Sequence, residues 1–167
     1  TGLCGKKCSH VYQDIVLGCY WLTGIKEGLK GEGKIFGDIN EAIIAYEFGA
    51  IDIKAKIKVR LKKELIETSL GRLLFNETLP SDFPFQNQLI KVKDLERIVA
   101  EIIEKYDSLT VEDTLDKIKN LGFEYSTLSG ISWGIEDLII PPEKGMILED
   151  ANKKVEAVES HYYKGLL

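Results

Sequence analysis

"IKAKIKVRL", residues 53–61, alternates without a break. Ile53, Ala55, Ile57, Val59 and Leu61 fall on one side of an extended chain, and Lys54, Lys56, Lys58 and Arg60 on the other. Successive side chains of a strand point to opposite faces, so this pattern predicts a strand with one buried and one basic face. A second strand is predicted through "TSLGRLLFN", 68–76, with "KKELIE", 62–67, as a turn or the rest of a hairpin. "KIF", 34–36, is a third, short candidate.

The segments around these strands read as helical. "VYQDIVLGCYWLT", 11–23, is an apolar helix or helix-turn, and "GIKEGLKGEGK", 24–34, is a glycine-rich loop or hairpin tip. Asp38 and Glu41 form a capping-box start for 39–48, with Gly49 at its end. Leu95, Ile98, Val99, Ile102, Ile103 and Tyr106 make a wide apolar helical stripe. Thr110 and Asp113 are expected to cap a helix over 111–121 that Gly122 ends, before a small-residue loop at 126–134. Pro141-Pro142 precedes a last helix, from about Glu143 to Tyr163, with a narrow seam of Ile147, Ala151, Val155, Val158 and Tyr162. The fold class is therefore α+β: a small mixed sheet carrying the basic-faced strand, several packed helices and a protruding C-terminal helix. "FNETLPSDFPFQN", 75–87, fits neither element, because its prolines break regular structure while its three phenylalanines demand packing.

Composition limits the function. The 167 residues suffice for one domain, or for one core with an appendage. A net charge of -5 means that any nucleic-acid contact must rest on a local patch. No apolar run approaches the roughly 20 residues of a membrane span, and the first ten residues lack the apolar core of a signal peptide. The start without Met and the ending in "KGLL" suggest a piece of a longer protein. Cys4, Cys8 and Cys19 are odd in number, against a disulfide framework. Cys4, Cys8 and His10 could supply three zinc ligands, but without a second Cys pair free thiols are the favoured reading, and no metal site is expected.

No nucleotide-binding glycine fingerprint and no paired metal-ligand motif occurs. The best chemical candidate is the basic run, which puts six positive charges into residues 54–63. It is either a phosphate-contacting face or a solvated sheet face that lysines keep from aggregating, and physics alone favours the latter. The C-terminal seam packs on its own domain or forms half of a protruding antiparallel hairpin. Acids including Glu149, Asp150, Glu156 and Glu159 make this end of the chain acidic on balance.

Several blocks together resemble one family. "QDIVLGCYWLT" (13–23), "GEGKIF" (31–36), "EAIIAY" (41–46), "IDIKAKIKVR" (51–60), "ETSLGRLLFNETLPSDFPFQN" (67–87), "LGFEYSTLSGISWGIEDLIIPP" (121–142) and "EDANKKVEAVESHYYKGLL" (149–167) occur in the order and at the spacing of the largest subunit of multi-subunit DNA-directed RNA polymerase, in its bacterial beta-prime form. The resemblance implies three parts: the end of the active-site domain at 1–24, a pore domain at 25–130, and the start of a funnel domain at 131–167. It implies nucleotidyltransferase activity in the intact enzyme by the two-metal route. The Mg²⁺ would be held by an Asp-Phe-Asp-Gly-Asp motif upstream, so the chain itself would bind no cofactor, hold no catalytic residue and be inactive alone.

Under this resemblance Gln13 and Asp14 lie near the active centre. Lys54, Lys56, Lys58, Arg60 and Arg72 are candidate phosphate contacts. Glu149, Asp150, Glu156 and Glu159 are candidate docking residues for transcript-cleavage factors. The implied partners are the beta, alpha and omega subunits, template DNA and the RNA transcript, in the cytoplasm and with no membrane. The truncated arm would be prone to self-association, and the proline loop would be packed by the larger enzyme. Residues 1–11 depart from the family's Pro-containing pattern. Asp116 matches an alarmone pocket of some members, but Leu109 and Asn120 replace its Lys and Tyr, so that pocket is not expected. The rival reading is a free-standing protein-interaction module.

Overall fold

The computed structural model describes residues 13–61, 64–132 and 134–165. The reading of Cys4, Cys8 and His10 lies outside them. The order of elements is α1 (Gln13–Thr23), β1 (Ile35–Phe36), α2 (Ile39–Glu47), β2 (Ile57–Leu61), β3 (Glu64–Thr68), α3 (Leu70–Glu77), α4 (Val92–Lys105), α5 (Ser108–Ser129), a 3₁₀ turn (Ile135–Asp137) and α6 (Lys144–Tyr163). The sheet is mixed: β2 lies in the middle, parallel to β1 and antiparallel to β3. The architecture is α+β, as expected. The chain divides into two units, Thr1–Ile131 and Ser132–Leu167.

The alternation at 53–61 survives as burial but only half as strand. Ile53, Ala55, Ile57 and Val59 are all buried, yet the ladder begins at Ile57. The Asp52 carboxylate accepts the Lys54 amide at 2.9 Å and the Asp52 carbonyl accepts the Ala55 amide at 3.0 Å, which turns the chain before it can pair. The glycine-rich loop is no hairpin tip, because it joins helix α1 to β1 rather than two strands. It lies along the segment before β2 instead, with Lys26 N–H donating to Lys54 O and Gly33 N–H to Lys56 O. Gly31 (φ 86°) passes so close to Ile51 that a Cβ there would sit 2.4 Å from its side chain.

The strand expected at 68–76 is a helix from Leu70 onward, and the hairpin is completed by 64–68. Ser69 decides this: its hydroxyl accepts the Arg72 amide and caps α3. Leu70, Leu73 and Phe75 are then fully buried on a helical face. Gly71 permits the approach to α1, since a Cβ there would meet the Leu22 carbonyl at 2.0 Å.

The helix expected over 111–121 runs from Ser108 to Ser129 and takes in the first residues of the supposed loop at 126–134. Asp107, not Thr110, caps it, its carboxylate accepting the amides of Leu109 and Thr110. Gly122 does not end the helix; it makes room for α1. A Cβ on Gly122 would meet Ile15 at 2.7 Å, and one on Gly18 would meet the Gly122 carbonyl at 1.8 Å. Gly130, in the left-handed region (φ 62°), ends α5. Asp38 caps α2 as expected, its carboxylate accepting the Glu41 amide, while the Glu41 carboxylate accepts the Gly37 amide one residue before the cap.

Two apolar clusters make up the core of the first unit. One joins Leu22, the sheet's buried face, Leu70, Leu73 and Tyr125. The other joins Ile15, Cys19, Phe75, Leu79, Ile90, Leu95, Ile98, Ile102 and Ile118. Cys19 is fully buried, and burial pushes its thiol pKa up to about 12. In the second unit α6 forms over the expected span, 20 residues or roughly 30 Å long, but none of its residues is buried.

Candidate functional site

The proline loop is held by its own chain. Asn76, on α3, grips Gln86 at both backbone ends: its Nδ2 donates to the Gln86 carbonyl at 2.9 Å and its Oδ1 accepts the Gln86 amide at 2.7 Å. Arg72, one turn earlier, donates from Nε to the Thr23 carbonyl (3.0 Å) and from Nη1 to the Asn87 carbonyl and Oδ1 (2.9 and 3.1 Å). Asn87 Nδ2 donates onward to the Glu67 carbonyl on β3. Thr23 Oγ1 accepts the Ile90 amide at 2.9 Å. The phenylalanines complete the attachment: Phe75 is fully buried, Phe83 packs on the same cluster, and Phe85 packs on the sheet's cluster. The loop is thus attached to its own chain, while Phe83 and Phe85 stay only half-buried. Backbone groups that no strand or helix could satisfy are satisfied by amide and guanidinium side chains. A groove of about 720 Å³ remains between this loop and the hairpin, lined by Leu61, Ile66, Phe83, Pro84, Phe85 and others.

The basic run does not form one row of cations. Lys54 lies in the turn before β2, with its ammonium 3.8 Å from the centre of the Trp21 ring. Lys56 pairs with Glu67 of β3 at 2.6 Å. The hydrogen bond from Lys56 holds the Glu67 carboxyl below its ordinary range, and the charge of Lys58 acts in the same direction. Arg60 is exposed opposite Leu65. Only Lys58 and Arg60 of the four face outward from β2 without an ion pair among the described residues. Arg72 belongs to the loop clamp. Periodicity located these side chains but could not reveal their partners, which come from α1, β3 and the 80s loop.

Gln13 and Asp14 are exposed in the first turn of α1, where the carboxylate of Asp14 suits the helix dipole. On α6, Glu149 and Asp150 pair within the helix to Lys153 (2.9 Å) and Lys154 (2.7 Å), while Glu156 and Glu159 are exposed. Around them Ile147, Val155, Val158 and Tyr162 are more than half exposed, as are Ile135, Leu138, Ile139 and Ile140 before the helix.

Among the described residues, no three His, Cys, Asp or Glu side chains are grouped to hold a metal ion. No helix among the described residues is long and apolar enough to cross a membrane.

Thr23, Asn76 and Asn87, three residues at the centre of the clamp, are absent from the sequence-based candidates. Their only sequence signal is a polar residue bordering an apolar helix or a proline loop, which many surface residues share.

Comparison with known proteins bears on the whole chain. Residues 4–138 match the family RNA polymerase Rpb1, domain 3. The chain is 42% identical over 98% of its length to a DNA-directed RNA polymerase subunit beta' of Sulfurihydrogenibium sp., of which it covers 10%. It is 40% identical over 98% of its length to the same subunit of Thermobifida fusca, and 43% identical to that of Desulforudis audaxviator, covering 14% of each. The rival reading as a free-standing interaction module gains no support from these matches. The chain belongs to the DNA-directed RNA polymerase largest-subunit family, in which it corresponds to the Rpb1 domain 3 region of the beta' subunit.

Proposed function

We propose that this chain acts within a beta' subunit in DNA-templated RNA synthesis, as a wall of the pore beside the catalytic centre and as the first helix of a docking arm. The observation that carries this is the near-complete alignment, 98% of the chain at about 40% identity, to proteins named as that subunit. The catalytic contribution is positional. The first unit is a preassembled block whose proline loop is fixed by Arg72, Asn76 and Thr23. Gln13 and Asp14 are its approach to the active centre. Lys58 and Arg60 are the outward cations suited to nucleic-acid phosphate, because Lys54, Lys56 and Arg72 are engaged elsewhere. In the second unit the apolar seam of α6 packs on a partner helix, and Glu156 and Glu159 face docking proteins such as transcript-cleavage factors. The polymerase's other subunits, beta, alpha and omega, are the assembly partners.

The test is a segment exchange. The matching segment of the Sulfurihydrogenibium beta' subunit is replaced by this chain, and the subunit is reconstituted with its partners. Assembly with template-dependent RNA synthesis is expected, whereas the 167-residue chain alone incorporates no nucleotide. Failure to assemble, where the relative's own segment reinserted the same way succeeds, overturns the reading.

A further inference from the structure

A pocket of about 390 Å³ opens where the end of α1 meets the turn before β2 and the start of α3. Its size lies within the range of small-molecule sites. Leu17, Tyr20, Trp21 and Leu89 supply apolar and aromatic wall, and Lys54 and Arg72 supply the charge. No carboxylate lines it, in a chain whose net charge is -5. The two cations are brought together by the backbone: Gly71 N–H donates to the Ile53 carbonyl at 3.0 Å, so the residues that follow each of them, Arg72 and Lys54, are neighbours. Lys26 adds positive charge close by, its amide bonded to the Lys54 carbonyl.

We propose that this pocket binds a small organic anion with an apolar body and a single oxyanion head, a carboxylate or a phosphate ester. The body lies against Tyr20, Leu17 and Leu89, and the head lies between Lys54 and Arg72. The nearest acid, Asp52, uses its carboxylate on the Lys54 amide. The Lys54 ammonium rests on the face of Trp21, which orients it without neutralising it. The Arg72 guanidinium is fixed by bonds from Nε and Nη1, which leaves Nη2 for a ligand oxygen. Its position is set before binding, so little side-chain entropy is lost when a ligand arrives. Burial disfavours the charge on both cations; at Lys54 the Asp52 carboxylate acts against this and Lys26 with it, and an oxyanion placed between the two cations offsets the cost of burial that remains.

The test uses four probes and the isotope-labelled chain carrying Trp133→Phe, so that the one remaining indole N–H signal in the NMR spectrum is that of Trp21. The probes are 2-naphthoate, 2-naphthyl phosphate, uncharged 2-naphthylmethanol and inorganic phosphate. At least one naphthyl anion is expected to shift the Trp21 signal saturably, with naphthylmethanol and inorganic phosphate much weaker. The tighter of the two anions identifies the head group. Lys54→Gln is expected to weaken the shift about tenfold, the loss of one charge-assisted contact, and Lys54→Arg to restore it. Three results overturn the proposal. One is the absence of a saturable shift with either anion up to about 10 mM, beyond the weakest affinity of interest. The second is equal binding of naphthylmethanol. The third is a Lys54→Gln chain, folded as judged by its backbone spectrum, that binds like the parent.

Discussion

α5 and α6 are nearly equal in length, 22 and 20 residues, and differ in almost everything else. α5 buries Thr114, Ile118, Gly122 and Tyr125, while α6 buries nothing. Both carry apolar residues at helical spacing, so periodicity does not separate them. What separates them is a partner. Gly18 of α1 and Gly122 of α5 let two backbones touch, and the side chains around them are covered as a result. Among the described residues, the side-chain contacts within α6 are two exposed ion pairs, worth a few tenths of a kcal/mol each, and the edge-to-face pair Tyr162–Tyr163. An isolated helix of that length is marginal in water. The first unit is a self-supporting block, and the second presents an apolar face suited to a partner helix.

The largest break in this contrast should come from Gly18→Ala. The added methyl would lie 1.8 Å from the Gly122 carbonyl, so the two helices must separate. A loss of about 3 kcal/mol or more is expected in denaturant unfolding. A loss under about 1 kcal/mol would mean that the close approach is not needed.

Alkaline pH should come next. The Cys19 pKa rises from 9.0 to about 12 in the folded state, so the unfolded chain loses its proton first. Cys19's contribution to stability is complete below pH 9 and is lost as pH rises toward 12, at most about 1.4 kcal/mol per pH unit. Stability measured from pH 8 to 10.5 should fall less steeply in Cys19→Ala than in the parent. Parallel slopes would show that the thiol is not held neutral by burial.

Asn76→Ala removes both grips on Gln86 and leaves its amide and carbonyl without partners, an expected cost of about 1–3 kcal/mol. The loop should become the site of first proteolytic cutting in the first unit. A variant as resistant as the parent would show that the Asn76 grip is not what holds the loop.

The smallest effect should be that of Val155→Ala on α6. Val155 is 54% exposed, so the change should stay within about 0.5 kcal/mol in the isolated chain. The same change should weaken assembly once the arm has its partner. A loss above about 2 kcal/mol in the isolated chain would mean that the seam is already covered.

The legible part of the fold was the part written in local chemistry. The alternation at 53–61 placed the buried face of the sheet, Asp38 with Glu41 placed the start of α2, and the seam after Pro141-Pro142 placed α6. The misread elements were decided partly by caps that periodicity does not show, Ser69 for α3 and Asp107 for α5, and partly by distant residues. Gly122 has the look of a helix stop, but α1 lies against it, and Gly71 sits inside α3 with the Leu22 carbonyl of α1 against it. The candidate site divides in the same way. Lys58 and Arg60 follow from the period of two, whereas the diversion of Lys54 to Trp21 and of Arg72 to Thr23 depends on α1, more than 30 residues away.

Native-state hydrogen exchange of the isolated chain tests the central contrast most directly. Amides in the middle of α5 should exchange only through global unfolding, and those in the middle of α6 should exchange orders of magnitude faster, independently of protein concentration. In the segment-exchanged polymerase the α6 amides should gain protection. If α6 in the isolated, dilute chain is as slow as α5, the arm is self-supporting and the account of a face built for a partner fails.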